Sequence, residues 1–193
     1  MVIRKLFKYE MGHIVRNAWS ERCSKSFHGH SYIVEFCFES RGLDQGGMVC
    51  DFGFLKQLVN PFVDSFDHAS VIWDRKEDKH IIEFFRNNFD RVIVTPFTST
   101  AEIQAAMFYY FGKDVLQYTL KNNLFVNGED DVRMHSCRVH ETTTGWAEFS
   151  KDSEKSMEGA PRRDDVSIAN IDFSPGIQKD WPAVFKTFWS ETR

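Results

Sequence analysis

The sequence predicts an α+β domain, an antiparallel sheet with helices covering one face. Three observations carry this. Strand-like segments open the chain and strand-like segments close its main body. Helical spacing fills the middle. The coarse order β, β, β, α, α, β, α, β separates strands from helices instead of alternating them regularly.

The elements follow in order. Val2 to Tyr9 alternates apolar and polar residues, as a half-buried strand does. A polar loop runs from Arg16 to Ser26, and Ser31 to Glu39 (SYIVEFCFE) is β-branched and aromatic, a second strand. Gly42, Gly46 and Gly47 mark a turn, and Met48 to Asp51 returns as a short strand. Asp51 is the expected cap of a helix whose apolar face is Phe54, Leu55, Leu58, Val59, Phe62, Val63 and Phe66, with a kink or break at Pro61. Asp78 to Phe89 is a second helix and Arg91 to Val94 a strand. Ser99 to Glu102 reads as a capping box, serine as cap and glutamate three later, opening a long helix to about Leu120. Asn127-Gly128 is a turn, Val132 to Thr142 a strand, and Gly145 to Phe149 continues or follows it.

Beyond Phe149 the character changes. Ser150 to Gly176 is polar with few large apolar residues and reads as a linker or mobile loop. Trp181, Val184, Phe185, Phe188 and Trp189 then form a helical stripe that Asp180 is placed to cap, with Pro182 in the first turn. The division is therefore 1–149 as one domain and 150–193 as an extension. Its stripe is expected to bury itself on the domain or on a neighbouring subunit.

Composition narrows the function. In 193 residues the net charge is −4, which argues against a mainly electrostatic nucleic-acid binder. The four cysteines include no CxxC pair, the N-terminus has no apolar core of a signal peptide, and no stretch reaches bilayer-spanning length. The expectation is a cytoplasmic, reduced protein with no membrane partner. Nineteen phenylalanines supply a sizeable core and leave aromatic surface for subunit contacts.

The chemistry starts at His28-Gly29-His30. Residues i and i+2 of a strand share a face, so two imidazoles converge, and the glycine permits close approach. With His13 at the end of the adjacent strand they make a three-histidine set, the number that a catalytic zinc commonly takes while keeping one position open. Imidazole also suits copper, iron or nickel; zinc fits a reduced cytoplasm best. Cys23 lies in the loop between these residues, either a free thiol in a polar loop or the thiol of an acid–base relay. Asp67-His68 offers it an oriented imidazole. Glu141, at a strand end, is either solvated or reads a heterocycle edge rich in N–H donors.

The order histidine, cysteine, HGH, Asp51-Phe52…Leu55, Asp67-His68, Thr100-x-Glu102 and Glu141-Thr142 resembles the 6-pyruvoyltetrahydropterin synthase / 6-carboxy-5,6,7,8-tetrahydropterin synthase family, from about Leu6 to Phe149. The resemblance implies a T-fold (tunnelling fold) whose subunits join edge to edge into barrels, commonly a hexamer of two trimers, with sites at subunit interfaces. It implies Zn2+ on His13, His28 and His30. It assigns catalysis to Cys23, Asp67 and His68, and substrate binding to Glu141, Thr100 and Glu102. It implies 7,8-dihydroneopterin triphosphate as substrate. In the carboxy branch acetaldehyde and triphosphate are released, and the product feeds 7-deazaguanine and queuosine synthesis. Arg16, Arg22 and Lys25 are expected to neutralise the triphosphate. Four residues intervene between Cys23 and His28, between the spacings of the carboxy and pyruvoyl branches. Glu21 lies nearby, and one branch of the family replaces the cysteine by glutamate and forms a folate precursor, but the spacing here does not match that branch well. The carboxy branch is favoured by the DFGFLK and HETTTGWAEF segments. The alternatives are a pyruvoyl or folate-precursor enzyme, or a non-catalytic scaffold binding metal or pterin.

Overall fold

The computed structural model describes residues 1–192. Two long strands, β1 (Val2–His13) and β2 (His28–Glu39), pair antiparallel along their whole length, with His13 opposite His28 and Met11 opposite His30. Both run further toward the HGH segment than the alternation predicts. β3 (Ala69–Trp73), β4 (Val92–Thr95), β5 (Arg133–His140), β6 (Trp146–Ser150) and β7 (Asp172–Phe173) complete one sheet in the order β6-β5-β2-β1-β3-β4-β7.

The sheet is mixed, which corrects the expectation of a purely antiparallel one. β3 lies parallel to β1 and β4 parallel to β3. Parallel neighbours need crossover connections, and helices supply them here: α2 (Gly53–Phe66) precedes β3, and α3 (Lys79–Asn88) joins β3 to β4. The five-residue β3 was absent from the sequence reading because so short an apolar run carries little periodicity. Met48 to Asp51, in contrast, forms no strand. Asp44 organises that segment by accepting the Gly46 and Met48 amides, each at 2.8 Å.

α2 continues unbroken through Pro61. The buried face Leu55, Leu58, Val59, Phe62, Val63 and Phe66 outweighs one missing backbone bond. Asp51 accepts the Gly53 amide at 2.6 Å, one residue before the cap position. The long helix α4 (Ala101–Lys121) packs beside α2 on the sheet, where Phe62 stacks on Phe111 with centroids 4.0 Å apart. Tyr9, Tyr32, Phe36 and Phe38 fill the space beneath. At Gly112 a β-carbon would stand 2.5 Å from Met134 Sδ, so the glycine lets α4 approach β5 closely.

One helix crosses to the other face. Ile82 of α3 clusters with Ile72, Val92 and Val94, whereas Val71 and Ile93 face the main core. The expectation that helices cover a single face is corrected accordingly.

Residues 150–176 form no linker. α5 (Lys151–Ser156) has its own capping box, in which the Ser150 hydroxyl accepts the Ser153 amide. Two 3₁₀ turns (Arg163–Val166 and Ile168–Asn170), β7 and α6 (Pro175–Gln178) follow. Val166, Ile168, Ile171, Phe173 and Ile177 are all buried in the main core. The first four alternate with polar residues over stretches of only three residues, too short to carry a period. The aromatic stripe does bury itself: α7 (Ala183–Thr192) sets Phe185 and Phe188 inside, and Trp181 Nε1 donates to Ser65 Oγ at 2.8 Å. Asp180 turns away from capping and accepts from Arg91 at 3.0 Å, and Pro182 lies just before the first helical residue. None of the described helices is long and apolar enough to cross a membrane.

Candidate metal centre

The antiparallel register places His13 directly across from His28, and directly opposed side chains share a face. His30, two residues on from His28, falls on that face too. Each of the three offers a nitrogen within 4.8 Å of the others. Their ring centroids are separated by 4.7, 5.4 and 5.1 Å. His13 is fully buried, while His28 and His30 are half-exposed at the mouth.

Backbone carbonyls set the tautomers. His13 Nδ1 lies 3.1 Å from Ser99 O, and His28 Nδ1 lies 3.0 Å from Ser26 O. A carbonyl only accepts, so both Nδ1 atoms carry the proton and both Nε2 atoms keep a lone pair for a ligand. Burial pushes His13 down to about 4 despite its bond to Ser99, and burial likewise lowers His30. Neutral imidazole is the form that binds a metal. The donor set, its protonation and its half-open placement therefore fit a borderline-soft ion such as zinc.

Ser99 does not cap α4. Thr100 takes that position and its hydroxyl faces the Ile103 amide at 3.4 Å. Ser99 instead turns its carbonyl toward the site, where it also accepts from Gln104 Nε2 at 2.8 Å; Gln104 Oε1 in turn accepts from Tyr9 at 2.7 Å. Tyr32 donates to Glu141 Oε1 at 3.3 Å and stands 3.3 Å from His13 Nε2. Burial pushes the Tyr32 phenol well above its ordinary value, so it stays a donor. Sequence reasoning missed Ser99, Gln104 and Tyr9. Tyr32 was legible in principle, being two residues beyond His30 on the same strand face.

Glu141 Oε1 lies 3.7 Å from His13 Nε2 and 4.0 Å from His30 Nε2. A cavity of about 430 Å³ opens in front of this group, lined by Cys23, His28, His30, Thr100, Glu102 and Glu141. Six of the nine residues singled out in the sequence thus border one space, with His13 behind them. Asp67 and His68 do not join it. His68 borders a separate cleft of about 420 Å³, to which His30 also contributes. There the Asp67 carboxylate bonds His68 Nδ1 at 2.8 Å and accepts the Glu10 amide at 2.7 Å. His68 is held in the left-handed region at φ 55°, a costly conformation for a non-glycine residue. Arg91 braces this turn from behind by donating to Asp67 O and Asp64 O.

Two of the three cations expected to meet the triphosphate have partners within the chain. Arg16 spends its guanidinium on Asp78 and Ser24 O, and Lys25 pairs with Glu21 at 2.5 Å. A short helix, α1 (Glu21–Ser24), occupies what reads as loop and carries the half-buried Cys23.

A mixed T-fold sheet with a three-histidine centre beneath a thiol and a carboxylate defines a class, the pterin synthases. The chain belongs to the 6-pyruvoyl tetrahydropterin synthase family, whose profile matches residues 2–152. It is 40% identical over 182 residues to a 6-carboxy-5,6,7,8-tetrahydropterin synthase of Helicobacter pylori, covering 94% of this chain and 86% of the relative. An Aquifex aeolicus protein of the same name is 26% identical over 168 residues, covering 78% of this chain and 98% of that one. Among solved structures, an uncharacterized protein of Wolinella succinogenes superposes with a TM-score of 0.60 at 21% identity, covering 78% of this chain and 98% of its own. The 6-pyruvoyl tetrahydropterin synthase of Caenorhabditis elegans gives 0.51 at 19%, covering 78% and 94%. These structures share the T-fold.

Proposed function

We propose that this protein is a zinc-dependent 6-carboxy-5,6,7,8-tetrahydropterin synthase. It converts 7,8-dihydroneopterin triphosphate and water to the 6-carboxy product with release of acetaldehyde and triphosphate, a step toward 7-deazaguanines. The observation that carries the reading is the histidine trio, two of its free Nε2 atoms set by backbone carbonyls, opening onto a cavity that also holds a thiol and a carboxylate. The similarity to the Helicobacter pylori enzyme over nearly the whole chain supports the carboxy branch.

Residue roles follow from position. His13, His28 and His30 would hold zinc. When bound, the ion supplies a Lewis acid that polarises the hydroxyls of the substrate side chain. Glu141 accepts two N–H donors from the edge of the pterin ring, and Thr100 and Glu102 line the same wall. Cys23 takes a proton from the side chain, and His68, oriented by Asp67, returns one. In one chain His68 and Cys23 border different spaces. That separation supports a site completed by a second copy, in a homo-oligomer such as the family's hexamer.

Incubation with 7,8-dihydroneopterin triphosphate and mass spectrometry of the pterin tests this. Acetaldehyde and a 6-carboxypterin are expected; a pyruvoyl or hydroxymethyl pterin moves the chain to another branch, and no turnover with zinc loaded overturns the enzyme reading. Cys23→Ala is expected to cut kcat by about 10²–10⁴-fold with zinc retained. Wild-type turnover in that variant removes the thiol from the reaction.

A further inference from the structure

In the loop from Val15 to Phe27, Phe27 anchors the end on Phe85 of α3, with ring centroids 4.9 Å apart, but no residue from Arg16 to Ser26 is buried. α1 is four residues long with no buried residue, and Trp19 is fully exposed. A segment without apolar burial takes its position from polar ties or wanders. One tie closes the loop on itself, as the Val15 amide donates to Cys23 O at 3.0 Å. The other reaches out to the body of the protein. Arg16 Nε and Nη2 donate to Asp78 Oδ2 and Oδ1 at 3.1 and 2.6 Å, and Nη1 donates to Ser24 O at 2.8 Å.

Asp78 stands at the cap position of α3, where a carboxylate ordinarily accepts an amide of its own helix. It makes no such bond. Both its oxygens go to Arg16, and the residue is 6% exposed. The carboxylate is thus committed to the loop rather than to its helix. The guanidinium, a rigid planar fork, links the start of α3 to the carbonyl beside Cys23.

We infer that Arg16 and Asp78 form a positioning pair that sets the Cys23 thiol over the histidine cavity. The inference rests on the reading of Cys23 as the proton-transferring group. It accounts for how a loop with four residues between the thiol and His28 still delivers Cys23 to the cavity wall. It also gives Arg16 a task other than binding the triphosphate.

The test uses the full-length, zinc-loaded protein and the variants Arg16→Lys and Asp78→Asn. Cys23 alkylation by iodoacetamide, followed at the peptide level, is expected to rise about 5-fold or more in both, and amide exchange over residues 14–26 to quicken. Zinc content is expected to stay at the wild-type level. kcat should fall about 10–100-fold, as displacement of a reacting group by about 1 Å does, with KM for the triphosphate within about twofold. The double variant Arg16→Lys/Asp78→Asn should be no worse than Arg16→Lys alone.

Wild-type alkylation and exchange in Asp78→Asn overturn the pair. So does a KM increase confined to Arg16→Lys, or additive losses in the double variant. Alkylation and exchange are read without turnover. A wild-type protein that is inactive on the pterin therefore counts against the proposed function and leaves the pair still decidable.

Discussion

Replacing His13 by alanine is expected to strip the metal and abolish turnover. His13 is fully buried, so no water ligand takes its place easily, and its Nε2 is one of three nitrogens on which the site depends. Loss of a partner that merely orients a ligand costs about 10–100-fold in metal affinity, and loss of the ligand should exceed that. Zinc content after dialysis measures it; wild-type stoichiometry in His13→Ala would place the metal elsewhere. A companion variant separates ligand from support. Ser99 meets His13 Nδ1 through its backbone carbonyl at 3.1 Å and its hydroxyl at 3.2 Å, so Ser99→Ala keeps the carbonyl bond and should lower zinc affinity by less than about 10-fold. Gln104→Ala removes a donor to that same carbonyl and leaves the Tyr9 hydroxyl without its acceptor, so its effect should fall between the two.

Phe185→Ala is expected to cost about 3–5 kcal/mol of stability, read as a lower urea midpoint with an unchanged slope. The ring is fully buried against Phe62, Trp181, Phe188 and Trp189, where truncation opens a cavity that packed aromatic neighbours do not fill. A loss of that size is a large part of the 5–15 kcal/mol that holds a typical domain together. A shift below about 1 kcal/mol would mean that the stripe rests loosely on the sheet. The same packing implies that deleting residues 151–193 leaves Phe62, Phe66 and Phe111 uncovered. Such a chain should be recovered as aggregate. The extension also touches the site's supports, because Asp180 pairs with Arg91, which braces the Asp67-His68 turn. We propose that residues 150–193 serve assembly and stability rather than a second chemistry.

The candidate metal ligands were readable because they are local. His28 and His30 sit two apart on a strand of high β-propensity, and that spacing settles their common face before any fold is known. His13 needed one further step, the pairing of the two strongest strand signals, and the register confirmed it. α4 and the Trp181–Trp189 stripe were legible for the same reason. A helical period repeated over several turns is a strong signal.

What escaped reading depends on partners distant in sequence. Ser99 looked like a helix cap because serine three residues before a glutamate is a valid local solution. His13, 86 positions away, changed which group of Ser99 mattered. Asp78 looked like a helix start and became the anchor of Arg16, 62 positions away. β3 and β7 are too short to show a period, and they exist because the sheet edge beside β1 and β4 offers unpaired backbone. Spacing and periodicity therefore identified the histidine set and the long elements from the residues alone, and the order of the motifs carried the resemblance to the family. The choice between capping and ligand support, the parallel half of the sheet and the docking of the extension came from the folded chain, because each is a competition between a local bond and a buried contact that brings together residues far apart in the sequence.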